Sequence, residues 1–505
     1  MQSKFKKLAT LTGLALGLTL VTTPAHAGFI VAAIVTWATA AVVAAPILVP
    51  LIIGAAVIGA SILITKKSKE SAAAMDMGSA ADFAQSGNQG IMVNKTGSSQ
   101  SIPVIYGETR TGGIRVFAHT EGTVGSGDDE INNAYLHLAF VIAEGEVGAC
   151  KKIYFDGVEA GSTSTTGSSD HGNWSIASPW SGKVQMYFRP GTDSQAEITQ
   201  LGDLKGSWSP HFKGIAYAYL RLEYESDVWT NGLPEITFLI DGKKTRDPNN
   251  LGATPTSNNR PARAVLDYLT NTRYGKGLST DDLDMASFIA ADTYANNHGF
   301  ECRGNLITSG TLYANLNDLL SSCRGYLTFG NKYRLLIDQE SNETPVEITD
   351  ANTVGNLQYD LADKSQLYNK MTAKFLDAAT EYKDNVKVLT SSALKTKDNG
   401  LDLEAEISLP FTKTLSVATQ ILTEEINQSR QSHTISLTCT VEAIDIQVGD
   451  LVNITNETFG ITSKTFRVLS SSLDPSNEVT LVCREYDEHV YGSSIITDEL
   501  ADNND

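Results

Sequence analysis

Along most of the chain the apolar positions fall in short runs of β-branched and aromatic residues. Tyr135-Leu-His-Leu-Ala-Phe-Val-Ile142, Lys152-Ile-Tyr-Phe155 and Gly214-Ile-Ala-Tyr-Ala-Tyr-Leu-Arg-Leu222 are examples, each bounded by Gly, Asp or Ser. Such spacing predicts strands joined by turns from near Ser101 to Gly242. Within it, 161–173 is almost entirely Ser, Thr, Gly and Asp, which predicts a mobile surface loop. The period then changes. Pro261 to Thr272 predicts a helix with proline in its first turn, and Ser279 to Asn297 a second, capped by Ser279 and Asp282 and stopped at Gly299. A third is expected from Tyr313 to Cys323, followed by a hairpin over Gly325 to Asp338 in which Gly330-Asn331 forms a two-residue turn. Leu415 to Ser429 predicts one more helix, after which strands resume to Tyr491.

The first 70 residues follow a different pattern. Met1 to Ala27 has three lysines, an apolar run from Leu8 to Val21 and an Ala25-His26-Ala27 end before Gly28, the layout of a secretory signal. A second apolar stretch, Phe29 to Ile64, carries Pro46 and Pro50 and closes on Lys66, Lys67 and Lys69. A spanning helix needs about 20 apolar residues, and two shorter helices joined at the prolines fit equally well. Cleaved signal plus anchor, uncleaved double anchor and hydrophobic head shielded inside an assembly are all open.

The expected fold is therefore mainly β with an α+β middle, a multidomain chain with β-barrel or sandwich tube-like domains flanking a helix-plus-hairpin region behind an N-terminal hydrophobic helical head. The expected divisions are 1–69 (basic, hydrophobic head), 70–100 (linker), 101–250 (β-rich), 251–345 (helices and hairpin), 346–495 (β-rich with one helix) and 496–505 (acidic tail). A length of 505 residues agrees with several cores.

Charge narrows the function. The chain carries 39 basic against 58 acidic residues, a net −19, and the surplus lies after Glu70, because the head is basic. Stable nucleic-acid binding needs clustered cations and is not expected. Cys150, Cys302, Cys323, Cys439 and Cys483 have no zinc or redox spacing. No Gly-x-Ser-x-Gly, His-Glu-x-x-His or phosphate-loop motif occurs. Glu144 and Glu146 have the residue types of an acid/base pair, though a strand-end turn is simpler. Asp128-Asp129-Glu130 lacks the alternating oxygens of a calcium loop. Trp174, Trp180 and Trp208 have the chemistry to stack on a sugar, with core aromatics the plainer reading. No catalytic residue, metal ligand or cofactor is expected.

Several pieces, in order, resemble the tail-tip hub (tip attachment) family of lambda-like long-tailed phages. They are Ser101-Ile-Pro-Val-Ile-Tyr-Gly107, the Leu136 to Glu146 strand with Ile153-Tyr-Phe-Asp-Gly157, Phe188-Arg-Pro-Gly191 and the Pro261 to Gly277 helix. Leu367 to Phe375, Val448-Gly-Asp-Leu-Val452, Phe466-Arg-Val468 and Arg484-Glu-Tyr-Asp487 complete the set. The resemblance implies a structural virion component at the tail tip: a homotrimer whose two tube-like β domains per chain close a hexameric tube, organise host attachment and pass DNA. The partners it implies are the distal tail protein, the tape-measure protein, other tip proteins or a receptor-binding fibre, and the host membrane through 29–64. The signal-like leader favours the alternative of an exported or membrane-anchored β-rich bacterial surface protein in the cell envelope. A tail-tip cell-wall hydrolase is the weakest of the three readings.

Overall fold

The computed structural model describes residues 100–496, except 127–129, 205–210, 231, 342, 361–365 and 432, with three upstream backbone fragments at 58–59, 65–66 and 95–96. Apart from those fragments, the hydrophobic head and the linker up to Ser99 lie outside the described residues, as does the acidic tail from 497. Among those described, no helix is long and apolar enough to cross a membrane.

The chain enters through β1 (Val104–Tyr106), β2 (Glu108–Gly112) and β3 (Ile114–Val124), then continues into β4 (Ile131–Glu144), β5 (Val147–Phe155) and β6 (Val158–Ser162). Next come β7 (Val184–Arg189), β8 (Ile215–Glu223) and β9 (Ile236–Thr245). Two mostly antiparallel sheets result. One has the order β7-β8-β4-β3, and in the other β6, β5 and β9 pair in turn, with β2 along the far side of β9. Phe140, Phe155, Phe188 and Phe238 fill the space between them. The alternation of β8 shows why its run is apolar at nearly every position. Ala216, Ala218 and Leu220 face this core, while Tyr217 and Tyr219 turn to the opposite side and pack with Ala139, Ile198 and Leu201.

The segment expected as a mobile loop is held in place, which corrects that reading. Ser169 is 2 % exposed and exchanges backbone hydrogen bonds with Phe188, and Gly167 N–H donates to Gly148 O.

Helices follow as α1 (Pro261–Thr270), α2 (Met285–Asn297) and α3 (Leu312–Ser321), then the hairpin β10 (Gly325–Phe329) and β11 (Tyr333–Ile337). Two details differ from expectation. Ser279 and Asp282 do close a capping box, but on a single 3-10 turn, Thr280–Asp282. Leu283 then dives into the core at 1 % exposure, and Asp284 caps α2 afresh. The hairpin loop has three residues, since Phe329 pairs with Tyr333 and their rings pack at 4.6 Å across its end.

The rest of the chain comprises β12 (Thr353–Asp360), β13 (Lys370–Asp377), β14 (Lys383–Thr390), β15 (Glu404–Ser408) and α4 (Leu415–Arg430), then β16 (Thr434–Cys439), β17 (Leu451–Asn456), β18 (Ile461–Leu473) and β19 (Val479–Glu485). Its residues divide between two cores. Met371, Phe375, Ile407 and the inner face of α4 join Val265, Leu269, Phe288 and Leu320 of the three helices in one core. Ile435, Leu437, Val452, Phe466 and Leu481 form another, inside a sheet ordered β17-β18-β19-β16-β12 with Val346–Ile348 on the β17 edge. The architecture is mainly β, with several sheets and few helices.

Candidate functional site

The residues singled out for chemistry scatter. Glu144 is 7 % exposed and binds Arg273 at 2.9 Å, whereas Glu146 turns outward to Lys244 at 2.6 Å, with Gly145 at φ +81° between them. Burial pushes the Glu144 carboxyl up, opposed by Arg273 and Lys243. Each carboxylate has its own cation, as a strand-end turn provides. Trp174 is 7 % exposed and donates its indole N–H to Ser169 Oγ at 3.1 Å, and Trp180 meets Phe155 edge-on at 5.4 Å. Both serve the sandwich core. Trp208, Asp128 and Asp129 lie outside the described residues. All five cysteines are buried free thiols, and burial pushes Cys439 up to about 11.

What the fold assembles instead is a pair of charged joints between its parts. The larger one centres on Asp338, just after β11. Its carboxylate receives Arg324 at 3.0 Å, Arg467 at 2.7 Å, Arg484 at 3.2 Å and the Tyr491 hydroxyl at 2.7 Å. Arg324 also reaches Glu424 and Glu425 on α4, so three guanidiniums face three carboxylates. Burial alone would raise the Asp338 carboxyl, but Arg324, Arg484 and Arg467 together hold it well below the usual carboxylate range. Burial pushes Glu424 the other way, although Arg324 opposes that. Arg324 follows α3 with φ +51°, a left-handed turn where glycine would be at ease. The backbone strain is tolerated because only a long cation at that point can reach Asp338 and α4 together. Arg467 completes the joint by lying over Tyr486 at 4.9 Å.

The smaller joint ties the sandwich to the β13–β14 hairpin. Arg110 on β2 donates to Thr237 Oγ1 at 2.8 Å, lies 4.0 Å over the Tyr154 ring and donates to Glu381 O at 3.3 Å. Glu381 and Tyr382, in the hairpin turn, both have positive φ. The Tyr382 hydroxyl donates to Glu108 at 3.3 Å, and Lys151 clamps the other oxygen of that carboxylate at 2.8 Å.

Several pieces that carry the family resemblance now have physical reasons. Gly107 has φ +63°, and a Cβ there would lie 2.4 Å from Cys302 O. Asn369, fully buried, accepts from Leu403 N and donates to Asp398 and Leu401 O, tying β13 to the turn before β15. Phe466-Arg-Val468 and Arg484-Glu-Tyr-Asp487 supply two guanidiniums and the Tyr486 ring to the Asp338 joint. Sequence reasoning missed both joints, although one signal was there: an arginine inside an apolar strand run, as in both of those pieces, marks a charge that must be paired when buried.

Comparison with known proteins agrees with this picture. Residues 312–470, from α3 into β18, match the family described as "Putative phage tail protein". The baseplate hub protein pb3 of Escherichia phage T5 is 25% identical over 482 residues, covering 80% of this chain and 49% of that protein. The chain thus spans about half the length of the curated relative it matches. Among solved structures, a chain from the virion of a native gene transfer agent particle shares the fold with a TM-score of 0.56 at 14% identity, covering 81% of this chain and 89% of that one. Family segment and relative converge: the chain is similar to phage tail proteins, a baseplate hub protein among them, and it shares its fold with a chain of a gene transfer agent virion.

Proposed function

We propose that the chain is a structural hub at the distal tip of a phage tail and not an enzyme: three copies close the tail tube and organise the tip for host attachment and DNA delivery. The observation that carries this reading is the match to a baseplate hub over four-fifths of the chain. Two physical features support it. The joints tie separate β-rich parts together, the larger through buried ion pairs and the smaller through a buried arginine held by a ring and a carbonyl, as a load-transmitting scaffold requires. The acidic body repels phosphate, so DNA passes without sticking. In this reading the body contacts the distal tail protein and other tip proteins or a receptor-binding fibre. The apolar stretch 29–64 is covered by the tape-measure protein or delivered to the host membrane. A closed threefold ring leaves no unmatched subunit face. Light scattering on the chain from Ser101 onward, alone and with the distal tail protein, should give trimers. Monomers at high concentration under both conditions would overturn the trimeric hub.

A further inference from the structure

The upstream backbone fragments are all strands, and each lies along the edge of a sheet. Lys95–Thr96 runs parallel to the start of β3, with Lys95 opposite Ile114. Further back, Ile58–Gly59 is antiparallel to β10, with Ile58 opposite Leu327 and Gly59 opposite Tyr326. Thr65–Lys66 is antiparallel to β15, with Thr65 opposite Glu406 and Lys66 opposite Ala405.

The edges that receive the two earlier fragments need a partner. β10 gives its other edge to β11, and β15 gives its other edge to β13; no further strand joins either one among the described residues. Both strands are largely withdrawn from water. Gly325, Leu327 and Thr328 are buried on β10, as are Ala405 and Ile407 on β15. Backbone N–H and C=O groups at a buried edge must be paired, and an unpaired edge is a template for another extended chain. Leu327, Ala405 and Ile407 share one core, so a single stretch of upstream chain ties the β10–β11 hairpin to the β13–β15 sheet around it. Composition agrees: Ile58-Gly-Ala-Ser-Ile-Leu-Ile-Thr-Lys66 is rich in isoleucine, whose branched side chain suits an extended backbone. Register also sets Lys66 between Glu404 and Glu406, acids that Lys370 and Lys374 already hold at 2.9 and 2.5 Å.

We propose that the outer edges of β10 and β15 form a docking surface for one extended strand, and that residues 58–66 of the same chain are its occupant. The segment is a clasp held by main-chain hydrogen bonds, the mode of β-strand addition. The clasp stands independently of the hub reading. Taken with that reading, it leaves only the part of the head before Ile58 to the tape-measure protein or the host membrane. A pull on that part is resisted first at β10 and then at β15.

The test is cross-linking of the purified full chain carrying Thr65→Cys together with Glu406→Cys, with oxidised glutathione as the oxidant. Directly opposed residues of an antiparallel pair lie about 4.5–5.5 Å apart at Cα, within the range of about 4.4–6.8 Å that a disulfide spans. The five native thiols are buried and do not compete. The link within one chain, read by peptide mass mapping, should form at least roughly tenfold faster than one between Thr65→Cys and Ser476→Cys. Ser476 is exposed in the turn between β18 and β19, on another sheet. Gly59→Cys with Tyr326→Cys tests β10 in the same way, and it decides alone if Glu406→Cys, which gives up the Lys374 ion pair, does not fold by circular dichroism. Linking no faster than the control in a folded variant of either pair, or links between chains only, would overturn the clasp. Failure to form trimers leaves this result untouched, because the link is read within one chain.

Discussion

The two joints solve the same problem, tying one β-rich part to another, with opposite electrostatics. Around Asp338 the charges are nearly dry: the Arg324 side chain is 3 % exposed and that of Glu424 also 3 %. Around Arg110 only the guanidinium is buried, while its ionic partner Glu381 is 52 % exposed and 3.9 Å away. The contrast teaches where charge carries structure. In the first joint Arg324, Glu424 and Arg467 have given up nearly all their water and depend on their partners. In the second, the aromatic ring and backbone carbonyl hold the arginine, and the carboxylate is an accessory that water largely replaces.

The sharpest way to break that contrast is Arg324→Ala. It leaves Glu424 and part of Asp338 buried without their cation and should cost on the order of 3–5 kcal/mol, read as a lowered urea midpoint. The deficit should be pH-dependent. The Asp338 carboxyl is depressed in the folded chain, so its contribution is fully present above about pH 3.9, the unfolded value, and is lost as pH falls toward the folded one. The gap between wild type and variant should therefore narrow below pH 4. Next in size is Arg110→Met, which keeps the packing of the stem but removes the cation over Tyr154 and the donor to Thr237. A loss of about 2 kcal/mol is expected, again by urea unfolding. Smallest is Glu381→Gln, which keeps the backbone carbonyl that Arg110 uses. Its effect should stay below about 0.5 kcal/mol, and a loss as large as that of Arg110→Met would show that the exposed carboxylate carries the smaller joint after all.

Much of the local structure was legible because it is written in neighbouring residues. Pro261 opens α1 where proline costs nothing, and the alternation on either side of Gly330 marks the β10–β11 hairpin. The Ser279 capping signal was real but ambiguous. A capping box satisfies a 3-10 turn as well as a helix, and only the burial of Leu283 ended that turn. The Ser/Gly-rich stretch 161–173 misled because small polar residues suit a pinned loop as well as a free one. Ser169 is fixed by Phe188, nineteen residues on and on another strand.

By itself, then, the sequence determined the strand-rich composition, the main helices, the acidic body and the ordered set of pieces that point to tail hubs, because propensity, periodicity, charge and local turn chemistry act over a few residues. The tertiary structure alone decided that residues 370–408 and α4 share a core with the helices before them, that Arg324, Asp338, Arg467 and Arg484 form one ionic joint, and that 58–59 and 65–66 pair with β10 and β15. Those outcomes depend on strand register and on burial from water. Both are set by the packing of segments far apart in the chain, and the same register and burial turn ordinary surface residue types into paired charges.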